Sequence, residues 1–190
     1  QRAFSFVRSD RTMSKIKKWR GDILRDLSLL PKTKGRQLGQ VIVYGDDAVP
    51  LLYSQTPEQV VMAAAEIGQD QGRIVVLSHH KYLENFGKEQ EDENLAILHE
   101  NINHWVTRGE FANNDQILDL KDVSEISDID AEKHKILVWN SWKDASPTFQ
   151  DEITDYIVTG GSLVYALSSV KWKAKFSHVT MEQVPLGNVL

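Results

Sequence analysis

The chain has 190 residues, with 22 Lys and Arg against 27 Asp and Glu, and contains no cysteine. That length suits one domain whose core needs no covalent staples, and the missing cysteine excludes disulfides, thiolate zinc sites and a cysteine nucleophile. With no apolar run near the ~20 residues of a membrane helix, no leader pattern and no glycosylation sequon, the sequence predicts a soluble protein, cytoplasmic or secreted after processing.

Gln1 in the place of Met predicts processing or truncation. Charge is unevenly spread: residues 1–40 hold 11 basic and 3 acidic side chains, while residues 41–190 hold 11 and 24, a split of +8 against −13. Such an arm suits an anionic partner, membrane or nucleic acid, or packing on its own acidic body. Ile16, Trp19, Ile23, Leu27 and Leu30 recur at helical spacing, which favours a helix lying on the body with Lys15, Lys17, Lys18, Arg20 and Arg25 as its solvated face. Residues 1–37 are therefore read as a basic arm with an amphipathic helix, and residues 38–190 as one α/β domain. The acidic body and dispersed aromatics argue against nucleic acid, and membrane contact through the arm is the weaker reading.

After a Lys-, Gly- and Pro-containing loop, Gln40–Tyr44 is expected as a short buried strand closed by Gly45-Asp46-Asp47. The apolar runs 48–53 and 59–65 fit either a hairpin or, from Pro57, a helix capped by Thr56. The turn residues 68–72 favour a strand over Val60–Ala64 running into Arg73–Leu77. Asn94–Val106 follows as an amphipathic helix burying Leu95, Leu98, Ile102 and Trp105, with the acidic stretch 89–93 at its positive end. Residues 110–134 read as a polar excursion with one short strand, Lys135–Trp139 as a central strand, Pro147–Val158 as a helix, and Ser162–Leu167 as a strand after Gly160-Gly161. This alternation implies parallel pairing through right-handed crossovers, with an antiparallel hairpin before it.

Three polar clusters follow expected strands: Asp46 with Asp47, Ser78-His79-His80, and Asn140-Ser141-Trp142. In open α/β sheets ligands gather where strands end, so these eight residues form the predicted binding rim. The two aspartates and the absence of a Gly-rich loop favour a polar small molecule or peptide over a phosphate. A serine hydrolase using Ser78 with His79 or His80 and an aspartate is the alternative. Against it, no Gly-x-Ser-x-Gly elbow is present, and neighbours on an extended chain point to opposite faces. His99 and His104 are five apart, which places them about 140° apart around a helix and excludes a shared ion. His79 and His80 lack a third ligand fixed by spacing, so neither a metal nor another cofactor is expected. Trp139, Trp142, Trp172 and Phe176 are candidates for a protein-binding patch, and the alternation Lys171–Phe176 suits a protected edge strand.

The ordered runs VIVYGDDAVPLLYS, EIGQDQGRIVVLSHHKYL, Asn101 with Trp105, ILVWNSW, ITDYIVTGGSLVYAL and VPLGNVL resemble the N-terminal region of TRPM-channel-associated factors. There the region precedes an enhancin-type metallopeptidase-like domain. The resemblance covers about residues 38–190. It implies a class I glutamine-amidotransferase-like, flavodoxin-like three-layer sandwich that serves association with a protein partner rather than catalysis. This chain carries one such unit and no peptidase portion.

Overall fold

The computed structural model describes residues 10–30, 38–43, 45, 47–54, 59–121, 129–140 and 146–167. Its elements are α1 (Asp10–Ile23), β1 (Ala48–Tyr53), β2 (Val60–Ile67), β3 (Gly72–Leu77), α2 (Glu93–Val106), β4 (Ile117–Asp119), β5 (Ile136–Asn140), α3 (Pro147–Val158) and β6 (Ser162–Ala166). The six strands lie in the order β1-β2-β3-β6-β5-β4. β1, β2 and β3 form an antiparallel meander, whereas β3, β6, β5 and β4 run parallel. The expected hairpin and parallel crossovers are both present, in a mixed sheet.

Alternation along the strands separates two cores. Met62, Ala64, Val75, Leu77, Ile136, Val138 and Val164 face α1 and α2 on one side. Ile74, Leu137, Trp139, Leu163 and Tyr165 face α3 on the other. The result is a three-layer α/β sandwich. Trp19 and Ile23 of α1 are buried, and Ile16, Leu24, Leu27 and Leu30 pack against the same cluster. The exposed residues of α1 include Lys17, Lys18 and Arg20.

Caps explain the helix boundaries. Asp92 Oδ1 accepts from Leu95 N at 3.0 Å to open α2, and Ser146 Oγ accepts from Phe149 N at 3.2 Å, one residue before the helix-starting Pro147. Two glycines let α3 approach the sheet. A Cβ on Gly72 would stand 1.8 Å from the Ile157 carbonyl oxygen, and one on Gly161 would stand 2.3 Å from the Tyr156 ring.

Two sequence expectations fail here. Residues 40–43 form no strand: Val41 N donates to Val60 O at 2.8 Å, but no ladder forms there among the described residues and Ile42 is exposed. Tyr44 lies outside the described residues. Trp139 belongs to no surface patch, because its ring is buried edge-on between Phe149 and Tyr165. Trp142, Trp172, Phe176 and the expected edge strand at 171–176 lie outside the described residues.

His99 ties α2 to the loop after β3. Its Nε2 donates to the Tyr82 carbonyl at 2.7 Å, so its Nδ1 faces the Gln90 amide, 3.3 Å away, as the acceptor. Burial pushes the imidazole down to about 4, against a smaller upward pull from the Tyr82 carbonyl.

Two outcomes are expected from these contacts. Gly72→Ala drives a methyl into backbone that cannot swing aside, and a loss of at least ~2 kcal/mol in urea unfolding is expected; an unchanged midpoint would show that α3 shifts freely. Unfolded His99 takes up a proton near pH 6.5 while the folded ring resists until about 4. Stability is therefore full above pH 6.5 and declines as pH falls toward 4, by up to ~3 kcal/mol from this group. Urea unfolding at pH 7 and pH 4.5 should show His99→Gln losing much of that decline, and an identical decline in the variant would remove His99 as its source.

Candidate functional site

The parallel strands end on one rim. Leu77, Ala166 and Asn140 share a row across β3, β6 and β5, so Ser78 and Asn140 stand two strands apart, about 10 Å. Ser78 prolongs the ladder with β2: its N–H donates to Val61 O at 2.9 Å and its carbonyl accepts from Gly39 N at 3.2 Å. Its side chain is buried, and Oγ makes no hydrogen bond among the described residues.

The chain then tightens into a 3-10 turn, His80–Leu83, capped by His79, whose Nδ1 accepts from Lys81 N at 3.1 Å. That bond makes Nδ1 an acceptor and fixes the ring. His79 stacks on His80 with centroids 4.3 Å apart and meets Tyr82 edge-on at 6.2 Å. His80 Nε2 lies 3.9 Å from Glu84 Oε1. Both imidazoles are buried, and burial raises the Tyr82 hydroxyl above its ordinary value. The polar tripeptide thus serves as a packed cap on β3.

Asp47 is not on this rim. The meander makes β1 run in the direction of β3, and Ala48 is level with Ala65 and Ile74, at the amino end of the parallel strands. Asp47 O accepts from Glu66 N, and its carboxylate pairs with Lys15 Nζ at 3.1 Å. It stands five rows from Ser78, roughly 16 Å along the strand direction. The expectation failed because residues 40–43 form no sheet strand for Asp47 to close; instead it precedes β1. Asp46, Ser141 and Trp142 lie outside the described residues. Of the eight predicted rim residues, Ser78, His79, His80 and Asn140 are placed at strand carboxyl ends.

A polar cleft of about 250 Å³ lies at the opposite edge, between the ends of α2 and α3. It is lined by residues including Arg108, Glu110, His134, Lys135, Thr159 and Gly160. Lys135 Nζ donates to Glu110 Oε2 at 2.8 Å, and that hydrogen bond, reinforced by the lysine's charge, holds the Glu110 carboxyl below its ordinary range. His134 Nδ1 accepts from Asp130 N at 3.3 Å, which leaves Nε2–H as the neutral ring's donor. Burial and the Lys133 charge lower His134 against the upward pull of Asp130. The Tyr156 hydroxyl, pushed up to about 12 by burial, donates to the His134 carbonyl at 3.0 Å. Sequence reading missed this cleft, since its residues spread from 106 to 162 without a motif and 110–134 read only as polar surface.

No group of three His, Asp or Glu side chains suited to a metal ion occurs among the described residues. No helix there is long and apolar enough to cross a membrane.

Comparison with known proteins places this architecture. The IMPa metallopeptidase from Pseudomonas aeruginosa superimposes with a TM-score of 0.56 at 12% identity, over 82% of this chain and 20% of that one. The structure of IMPa from Pseudomonas aeruginosa in complex with an O-glycopeptide gives 0.55 at 13% identity, over 93% of this chain and 22% of the other. The likeness is one of fold, and this chain spans about a fifth of those chains. No curated protein matches the sequence. The family model TCAF_N, described as TRPM8, N-terminal domain, matches residues 5–190, and the chain belongs to that family.

Proposed function

We propose that this chain is a non-catalytic protein-interaction module built on an amidotransferase-like, flavodoxin-like sandwich, and that its partner is a TRPM-type channel. The family supports the partner class, since its description names TRPM8. The observation that carries the non-catalytic reading is the state of Ser78. A serine nucleophile needs its Oγ hydrogen-bonded to a base that a third group orients. Here Ser78 Oγ is buried without a hydrogen bond among the described residues, while the adjacent imidazole spends Nδ1 on capping the following turn. The nearest described aspartate in the sequence-based scheme, Asp47, sits at the other edge of the sheet. The parallel strands and the antiparallel hairpin support the amidotransferase-like reading of the fold.

The second reading, a serine hydrolase centred on Ser78 with His79 or His80, draws on the proximity of one hydroxyl and two imidazoles at a strand end. One experiment separates the two. Saturable binding of the purified chain to detergent-solubilised TRPM8 is expected, with Ser78→Ala binding within about twofold of the parent, below ~0.4 kcal/mol. Hydrolysis of p-nitrophenyl acetate should show no component removed by that substitution. Absence of channel binding would sink the partner assignment, and a Ser78-dependent ester turnover would establish the hydrolase.

A further inference from the structure

The cleft at the amino edge of the sheet combines donors with an internal carboxylate. Lys135 is the last residue before β5, and Arg108 follows α2 in a left-handed conformation, φ 58°. Arg108 lines the cleft, and its Nη2 donates to the carbonyls of Asp70 and Gln71, which anchors the guanidinium. His134 adds an Nε2–H. Against these three donor groups the lining has, among the described residues, one acidic side chain, Glu110, whose carboxylate is exposed and paired with Lys135 at 2.8 Å. The volume, about 250 Å³, falls just below the ~300–1,000 Å³ of drug-sized pockets, which suits a small group.

We propose that this cleft binds a carboxylate, from a small free acid or a peptide C-terminus, and that Glu110 is an internal competitor for the Lys135 end of the site. A charge-assisted bond to Lys135 or Arg108 would hold the incoming oxygens. The Glu110 carboxylate must first release Lys135, and its exposure makes that exchange easy because water solvates it at once. The arrangement gives substitutions of opposite sign within one ion pair. Removing the competitor strengthens binding, and removing the cation weakens it.

The test uses the full 190-residue chain, labelled with nitrogen-15 and titrated with succinate, with N-acetyl-Gly-Phe, with its C-terminal amide, and with sodium chloride at matched ionic strength. Saturable shifts of the Thr107, Gly160, Gly161 and Ser162 amides are expected with at least one of the two acids, and none with the amide or chloride. Tighter binding of succinate assigns a free acid, and tighter binding of the dipeptide assigns a chain terminus. Glu110→Gln should tighten the better acid about two- to fivefold, and Lys135→Gln should weaken it by at least as much. Thermal melting checks that both surface variants keep the parent fold, and should Lys135→Gln fail to fold, Glu110→Gln alone decides. Equal shifts with the amide, no saturable shift with either acid, or weakened or unchanged binding in Glu110→Gln would overturn the proposal.

Discussion

The Arg73 guanidinium adds a polar link between parts of the molecule that otherwise meet through apolar packing. It sits at the amino end of β3 and pairs with Glu66 across the β2–β3 hairpin through Nε at 3.0 Å and Nη2 at 2.8 Å. Its Nη1 donates to the Trp105 carbonyl in the last turn of α2, and its Cζ lies 4.7 Å from the Trp105 ring centroid. Trp105 in turn meets Trp19 of α1 edge-on at 5.0 Å. Both partners of the ion pair are largely shielded, with side chains 16% and 18% exposed. A cation there complements the negative end of α2 and the face of an indole simultaneously. The hairpin, the crossover helix and the N-terminal helix therefore share one electrostatic anchor.

α2 is held at its other contacts by polar side chains that behave like backbone. Asn103 exchanges two hydrogen bonds with Ala112, donating to its carbonyl at 2.8 Å and accepting from its N–H at 3.0 Å. Asn101 donates to the Arg25 carbonyl at 2.7 Å, and Ser162 Oγ donates to the Val106 carbonyl at 2.8 Å. Each of these side chains is matched, so α2 gains a defined position as well as apolar burial. Through His99 that position extends to the loop carrying Ser78, His79 and His80. The strand-end histidines are consequently set by the same framework that orders the core.

Most elements were legible because their periodicities were clean. The 3.6-residue stripe of Leu95, Leu98, Ile102 and Trp105 and the glycine-bounded run Arg73–Leu77 leave few alternatives. Pro147 and Gly160-Gly161 bracketed α3 for the same local reasons. The candidate site was less legible. Whether Asp47 ends one strand or starts the next changes its edge of the sheet, and the β-branched segment 40–43 gave a local strand signal that no neighbouring ladder took up. The depth of the Ser78-His79-His80 turn was equally hidden, because burial of that tripeptide depends on residues that are close only in space. The Glu110–Lys135 pair spans 25 positions and left no local trace.

Strand order carries a consequence for how the chain is made. β6 is the last strand among the described residues, yet it lies between β3 and β5 and pairs with both. Until residues 162–166 emerge during synthesis, β3 and β5 each present an apolar edge with no native neighbour. Such edges invite pairing with other chains, and long-range parallel closure is slow. A nascent chain of this architecture is thus most vulnerable to self-association just before its central strand arrives, which gives holding chaperones their natural window on it.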